Sequence, residues 1–141
     1  MISTVAVGTD GTSTASEAVK AATEIARRFD AKLVLLSAFQ DAGGRPRDTG
    51  SSAEVQWASS PAARVQEILA RASGEIARGG VECSTLVDEG DPAEVLVRLA
   101  EDSGADLLVI GNKGMERRVL GSVPNTVTHR APCSVLVVKT T

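Results

Sequence analysis

One pattern constrains the fold of this 141-residue chain more than any other. Short runs of aliphatic and β-branched residues alternate with longer segments whose apolar residues recur every three or four positions. The short runs fit strands, and the longer spacing gathers apolar residues on one helix face. The strand-like runs are 4–8 (Thr-Val-Ala-Val-Gly), 32–39, 81–87, 106–111 and 134–139. The run at 32–39, Lys-Leu-Val-Leu-Leu-Ser-Ala-Phe, is apolar almost throughout, as a central parallel strand covered on both faces should be.

The helical segments carry their own punctuation. In the first, Ala15, Ala18, Val19, Ala22, Ile25, Ala26 and Phe29 share a face, and Thr14 and Glu17 have capping-box spacing. In the second, Ser60 is the expected N-cap and Pro61 the first helical residue. Val65, Ile68, Leu69, Ala72 and Ile76 form its expected buried stripe, and Gly79-Gly80 its stop. The third opens on Asp91-Pro92-Ala93-Glu94, with a carboxylate at the positive end of the dipole. It faces the core with Val95, Leu96, Leu99 and Ala100 and ends at Gly104. A fourth, short helix lies near 122–130, with Pro132 beyond it. Strand and helix in strict alternation imply an α/β fold, an open five-stranded parallel sheet with helices on both faces.

Bulk properties narrow the function. A chain of this length fits one domain, residues 1–141, and buries a core without disulfides or metals. With 2% aromatics and no Tyr, the core must be built from Val, Leu, Ile and Ala. The same scarcity leaves few platforms for base stacking, and a net charge of −3 offers no basic face, so nucleic acid is not an expected partner. No apolar run approaches the ~20 residues of a membrane helix. The N-terminus has no basic or long apolar region. Cys83 and Cys133 stand far apart and form no metal or redox motif, which reads as two reduced thiols in strands. Together these features predict a cytoplasmic protein with no membrane partner.

In open parallel sheets, ligands bind beyond the carboxyl ends of the strands, where strand order reverses. If strand 1 lies beside strand 4, that crevice receives Gly8-Thr9-Asp10-Gly11 and Gly111-Asn112-Lys113-Gly114. The second loop runs on through Met115-Glu116-Arg117-Arg118-Val119-Leu120 to Gly121-Ser122 at a helix start. Glycines admit close backbone approach, and a helix N-terminus favours an anion. Lys113, Arg117 and Arg118 add positive charge. These residues fit a phosphate site; they also fit a glycine-rich connection with solvated basic side chains. Asp10 reads equally as a turn residue or a ligand contact.

Other chemistry finds little support. There is no G-x-x-x-x-G-K-[ST] loop, no G-x-G-x-x-G after strand 1 and no G-x-S-x-G elbow. His129, the single histidine, suits the negative end of its helix. Glu94 is accounted for by its helix start. Residues 40–59 form a polar loop, long for a compact domain, in which Trp57 is either packed or a binding platform.

Three stretches resemble the universal stress protein family. They are Val5-Ala6-Val7-Gly8-Thr9-Asp10-Gly11-Thr12 with Ser16 and Ala18-Val19; Gly90-Asp91-Pro92-Ala93 with Ala105-Asp106-Leu107-Leu108-Val109-Ile110-Gly111; and Leu120-Gly121-Ser122-Val123 with Ala131-Pro132-Cys133-Ser134-Val135-Leu136-Val137-Val138. The likeness covers the chain except for 40–59. It implies a Rossmann-like sheet in the order 3-2-1-4-5 and a homodimer through the last strand, 134–139.

The resemblance also implies ATP or another adenine nucleotide, such as AMP or cyclic AMP, with or without Mg. Gly111, Gly114, Gly121 and Ser122 would hold ribose and phosphates, with Thr9, Asn112, Arg117, Arg118 and Val123 beside them. Asp10 would meet the adenosine part, and Ala38 would line the adenine pocket. One departure stands out. Six residues separate Gly114 from Gly121, where the family's ATP motif has nine. The shorter loop is compatible with a grip on fewer phosphates, with AMP or a cyclic nucleotide, or with no tight binding. The expected function is a nucleotide-binding sensor or regulator of stress response, at most a slow ATPase. The alternative is a dimeric interaction module that binds no nucleotide and acts through protein partners.

Overall fold

The computed structural model describes residues 1–10, 13–40, 60–112 and 120–139. In chain order these form β1 (Thr4–Gly8), α1 (Ser13–Phe29), β2 (Lys32–Phe39), α2 (Pro61–Arg78), β3 (Cys83–Glu89), α3 (Pro92–Asp102), β4 (Leu107–Asn112), α4 (Ser122–Arg130) and β5 (Ser134–Lys139). The strands make one parallel sheet in the order β3-β2-β1-β4-β5. The sheet therefore grows outward from β1 in both directions, and the order reverses between β1 and β4.

Period-two alternation divides the core into two layers. On one face Val5, Val7, Leu33, Leu35 and Val109 pack against Ala18, Ala22 and Ala26 of α1 and Leu69 of α2. On the other, Ala6, Val34, Leu36, Leu108 and Ile110 pack against Val95, Leu96 and Leu99 of α3 and Val127 of α4. Helices thus cover both faces, and the inner strands are apolar on both. Full burial of a Leu or Val side chain contributes about 1.5–3 kcal/mol. The alanines of α1 contribute little area, but they let that helix lie close against β1.

Caps fall largely where the sequence places them. Ser60 Oγ accepts from Ala63 N–H at 3.1 Å and Asp91 Oδ2 from Glu94 N–H at 3.2 Å. α2 and α3 end in left-handed glycines, Gly80 (φ 95°) and Gly104 (φ 67°). In each, the residue after the glycine donates back to the last helical turn, Val81 to Ile76 and Ala105 to Ala100, which satisfies carbonyls the helix leaves open. α1 ends the same way without a glycine. Asp30 takes φ 52°, and Ala31 N–H donates to Ala26 O at 2.8 Å.

Four local expectations need correction. α1 begins at Ser13, so Thr14 is already helical and not its N-cap; Glu17 instead meets Lys20 at 3.3 Å. Phe29 is 57% exposed and Ile68 44% exposed, although both are in phase with their helices' apolar stripes. Phe29 is the last helical residue before the turn at Asp30, and of the α2 stripe only Leu69 is buried. The third strand runs 83–89 rather than 81–87, and the fourth starts at Leu107 rather than Asp106. β3 reaches Glu89 because β2 continues to Phe39 and the two pair residue for residue. Cys83 opens β3 and Cys133 lies just before β5; both thiols are free.

Candidate functional site

A cavity of about 430 Å³ opens at the carboxyl end of the sheet, over the β1–β4 switch point. That is within the usual range for a small-molecule site, about 300–1,000 Å³. β1 supplies Gly8 and delivers Thr9 and Asp10 just beyond its end. Thr9 N–H still donates to Leu36 O at 2.9 Å, so the first loop leaves β1 in a held conformation. β2 contributes Ser37 and Ala38, and β4 contributes Ile110, Gly111 and Asn112. Pro92 and Leu96 of α3 form an apolar side, while Gly121, Ser122, Val123 and Pro124 bring in the start of α4.

Gly8 permits this arrangement. A Cβ there would sit 3.1 Å from both Leu96 methyls and 3.6 Å from Ile110 Cγ2. Leu96 would have to give by a few tenths of an ångström, so the glycine lets α3 lie closer to the cavity's floor.

The start of α4 differs from those of α2 and α3. Its N-cap is Gly121, which has no side chain with which to cap the helix. The first-turn N–H groups of Ser122 and Val123 have no partner within the helix. Pro124 has no N–H, and the first intrahelical bond runs from Asn125 N–H to Gly121 O at 2.9 Å. Gly121 N–H itself is taken by Asn112 Oδ1 at 2.9 Å. Two backbone donors and the Ser122 hydroxyl thus stand at the cavity edge, at the positive end of a helix dipole. Asp10 is the one ionisable side chain among the described lining residues.

Of the residues singled out from sequence, Thr9, Asp10, Ala38, Gly111, Asn112, Gly121, Ser122 and Val123 all line this cavity. Gly114, Arg117 and Arg118 lie outside the described residues, as do Lys113, Trp57 and the loop 41–59. Sequence reasoning missed Ala15, Ser37, Pro92, Leu96, Ile110 and Pro124. Ser37 had a visible signal, since it is the lone hydroxyl in the apolar run of β2. Pro92 and Leu96 read as helix start and core, and both are, yet their helix also walls the cavity.

The sequence profile of the universal stress protein family matches residues 1–139. The chain belongs to the universal stress protein family. A family member of Mycobacterium tuberculosis is 39% identical over 144 residues, covering 98% of this chain and 97% of the relative. Among solved structures, a universal stress protein in complex with cAMP superimposes with a TM-score of 0.74 at 33% identity, covering 99% of both chains. A universal stress protein from Arabidopsis thaliana, crystallised with AMP bound, gives a TM-score of 0.77 over 99% of this chain and 92% of its own, at 22% identity. That last likeness is one of fold. The universal stress protein sheet order is the one found here, and Gly111, Gly121 and Ser122, three of the four residues expected from the resemblance to hold ribose and phosphates, line the cavity.

Proposed function

We propose that this universal stress protein is an adenine-nucleotide-binding regulator, and that its cavity takes a nucleotide bearing one phosphate, cyclic AMP or AMP, ahead of ATP. The observation that carries this is the meeting of Asp10 with the uncapped start of α4 across one cavity at the switch point. The similar structure crystallised with cAMP supports it. Ala38, Pro92, Leu96 and Ile110 offer the base an apolar slot. In this reading Asp10, which lines the cavity, accepts a hydrogen bond from a ribose hydroxyl. Ser122 and Val123 offer two N–H groups and one hydroxyl to a phosphate.

Among the described residues, the donor set argues for a single phosphate. Asn112 consumes the Gly121 N–H and Pro124 has none, so the first turn of α4 serves one anionic group and not three. No cluster of three His, Cys, Asp or Glu side chains that could hold a metal occurs among the described residues. Asp10 alone could meet a Mg ion brought in by a polyphosphate, and the proposed binding uses none.

Calorimetric titration with cyclic AMP, AMP, ATP and adenosine tests the proposal. Cyclic AMP or AMP should bind more tightly than ATP, and Asp10→Ala should weaken every ligand that carries a ribose. No binding of any of the four at millimolar concentration would sink it. Rapid ATP hydrolysis abolished by Asp10→Asn would show a catalyst instead of a regulator.

A further inference from the structure

We propose that Asn112 is a positioning residue for the phosphate end of the cavity: its buried amide fixes the start of α4 so that the N–H groups of Ser122 and Val123 aim at the ligand. The inference rests on the nucleotide function proposed above. Asn112 occupies the tip of β4, beside an open cavity, yet it is fully buried. Its Oδ1 accepts from Gly121 N–H at 2.9 Å, across nine positions of the chain. Its backbone pairs with Lys139 at the last register position between β4 and β5. One side chain therefore ties the end of the sheet to the N-cap of α4.

The bond divides the donors at that helix start. A side chain at the N-cap normally takes the N–H of the second or third helical residue, as Ser60 and Asp91 do in α2 and α3. The third helical residue of α4 is Pro124, which has no N–H, so a glycine at position 121 leaves the N–H of the second, Val123, to a ligand, and it also leaves the helix start without its usual anchor. Asn112 supplies the anchor from outside by holding the N-cap's own N–H. A small residue at position 121 favours this, because a Cβ there would meet Asn112 Oδ1 at 3.1 Å and push on the bond it makes. An amide suits position 112 as well: it accepts the bond without placing a buried negative charge beside a phosphate.

The test combines amide exchange with titration. In the unliganded wild-type protein, the Gly121 amide should exchange slowly. In Asn112→Ala, cyclic AMP should bind at least about tenfold more weakly while adenosine stays within about twofold of wild type, the loss expected for misplaced hydrogen bonds to a charged group. Asn112→Leu fills the amide's volume without an acceptor, and it replaces the Ala variant if that one does not fold. Three results would overturn the inference: a Gly121 amide as fast as those of Ser122 and Val123 in wild type, cyclic AMP affinity unchanged in the variant, or equal losses for cyclic AMP and adenosine. Failure of both variants to fold would make Asn112 a residue of the fold and overturn it too. If wild type binds adenosine but no cyclic AMP, this inference alone falls; if it binds no nucleoside or nucleotide, the proposed function falls with it.

Discussion

Asp106 has no place in the cavity, yet it holds the opposite end of the same two strands. Its Oδ2 accepts from the N–H groups of Ser3 at 2.8 Å and Thr4 at 3.0 Å, while its own N–H donates to Thr4 O at 2.9 Å. The Ser3 and Thr4 donors hold the carboxyl below its ordinary value, because they stabilise the charged form. A depressed folded pKa means stability that is present above the unfolded value, about 3.9, and lost as pH falls through the folded one. Asp106→Ala should therefore be less stable than wild type at pH 7, with the gap narrowing below about pH 4. Urea midpoints measured across that range check it, and a gap independent of pH would rule the carboxylate out as its source.

Among the elements, α2 is the most loosely seated of the helices described: one of its residues, Leu69, is buried. Its caps are good, so its weakness lies in the middle. Gly74 lies inside the helix, four residues before its last residue, Arg78, and a Cβ there meets nothing within 4 Å among the described residues. A mid-helix glycine costs roughly 0.5–1 kcal/mol relative to alanine. Gly74→Ala should raise stability by about that amount without touching the cavity. Chemical denaturation reads the gain directly, and unchanged affinity for cyclic AMP confirms that α2 is remote from the site.

For the whole molecule, the open question is the sheet's edges. Among the described residues β5 pairs with β4 alone, its Val135, Val137 and Val138 are half-buried, and Leu136 is 38% exposed. An exposed apolar edge invites strand pairing unless it is covered. A second copy pairing along 134–139 would give the outer edge of β5 backbone partners and bury Leu136 by two-fold symmetry. We expect a homodimer at micromolar concentration, and Leu136→Lys should shift it toward monomer. Light scattering that finds wild type monomeric would remove this assembly. Among the described residues, no helix is long and apolar enough to cross a membrane.

Much of this protein was legible in one dimension. Alternating periodicities named each strand and helix among the described residues, because each element must bury one face or both, and burial writes its period into the sequence. Ser60, Asp91, Gly80 and Gly104 marked helix ends for an equally local reason: caps and left-handed turns are satisfied within a few residues. Eight of the residues that line the cavity were also named beforehand: glycines and a carboxylate at strand ends announce themselves, while Ala38 came from the family resemblance. Where pairing sets the outcome, the sequence alone was insufficient. β3 extends through the polar Asp88 and Glu89 because β2 runs alongside it to Phe39. Phe29 and Ile68 kept the right phase but were left uncovered, because coverage depends on what packs opposite. The role of Asn112 could be read only in three dimensions. Its partner lies nine positions away, and whether a polar side chain turns toward the ligand or back to hold a helix depends on how the strand and that helix meet.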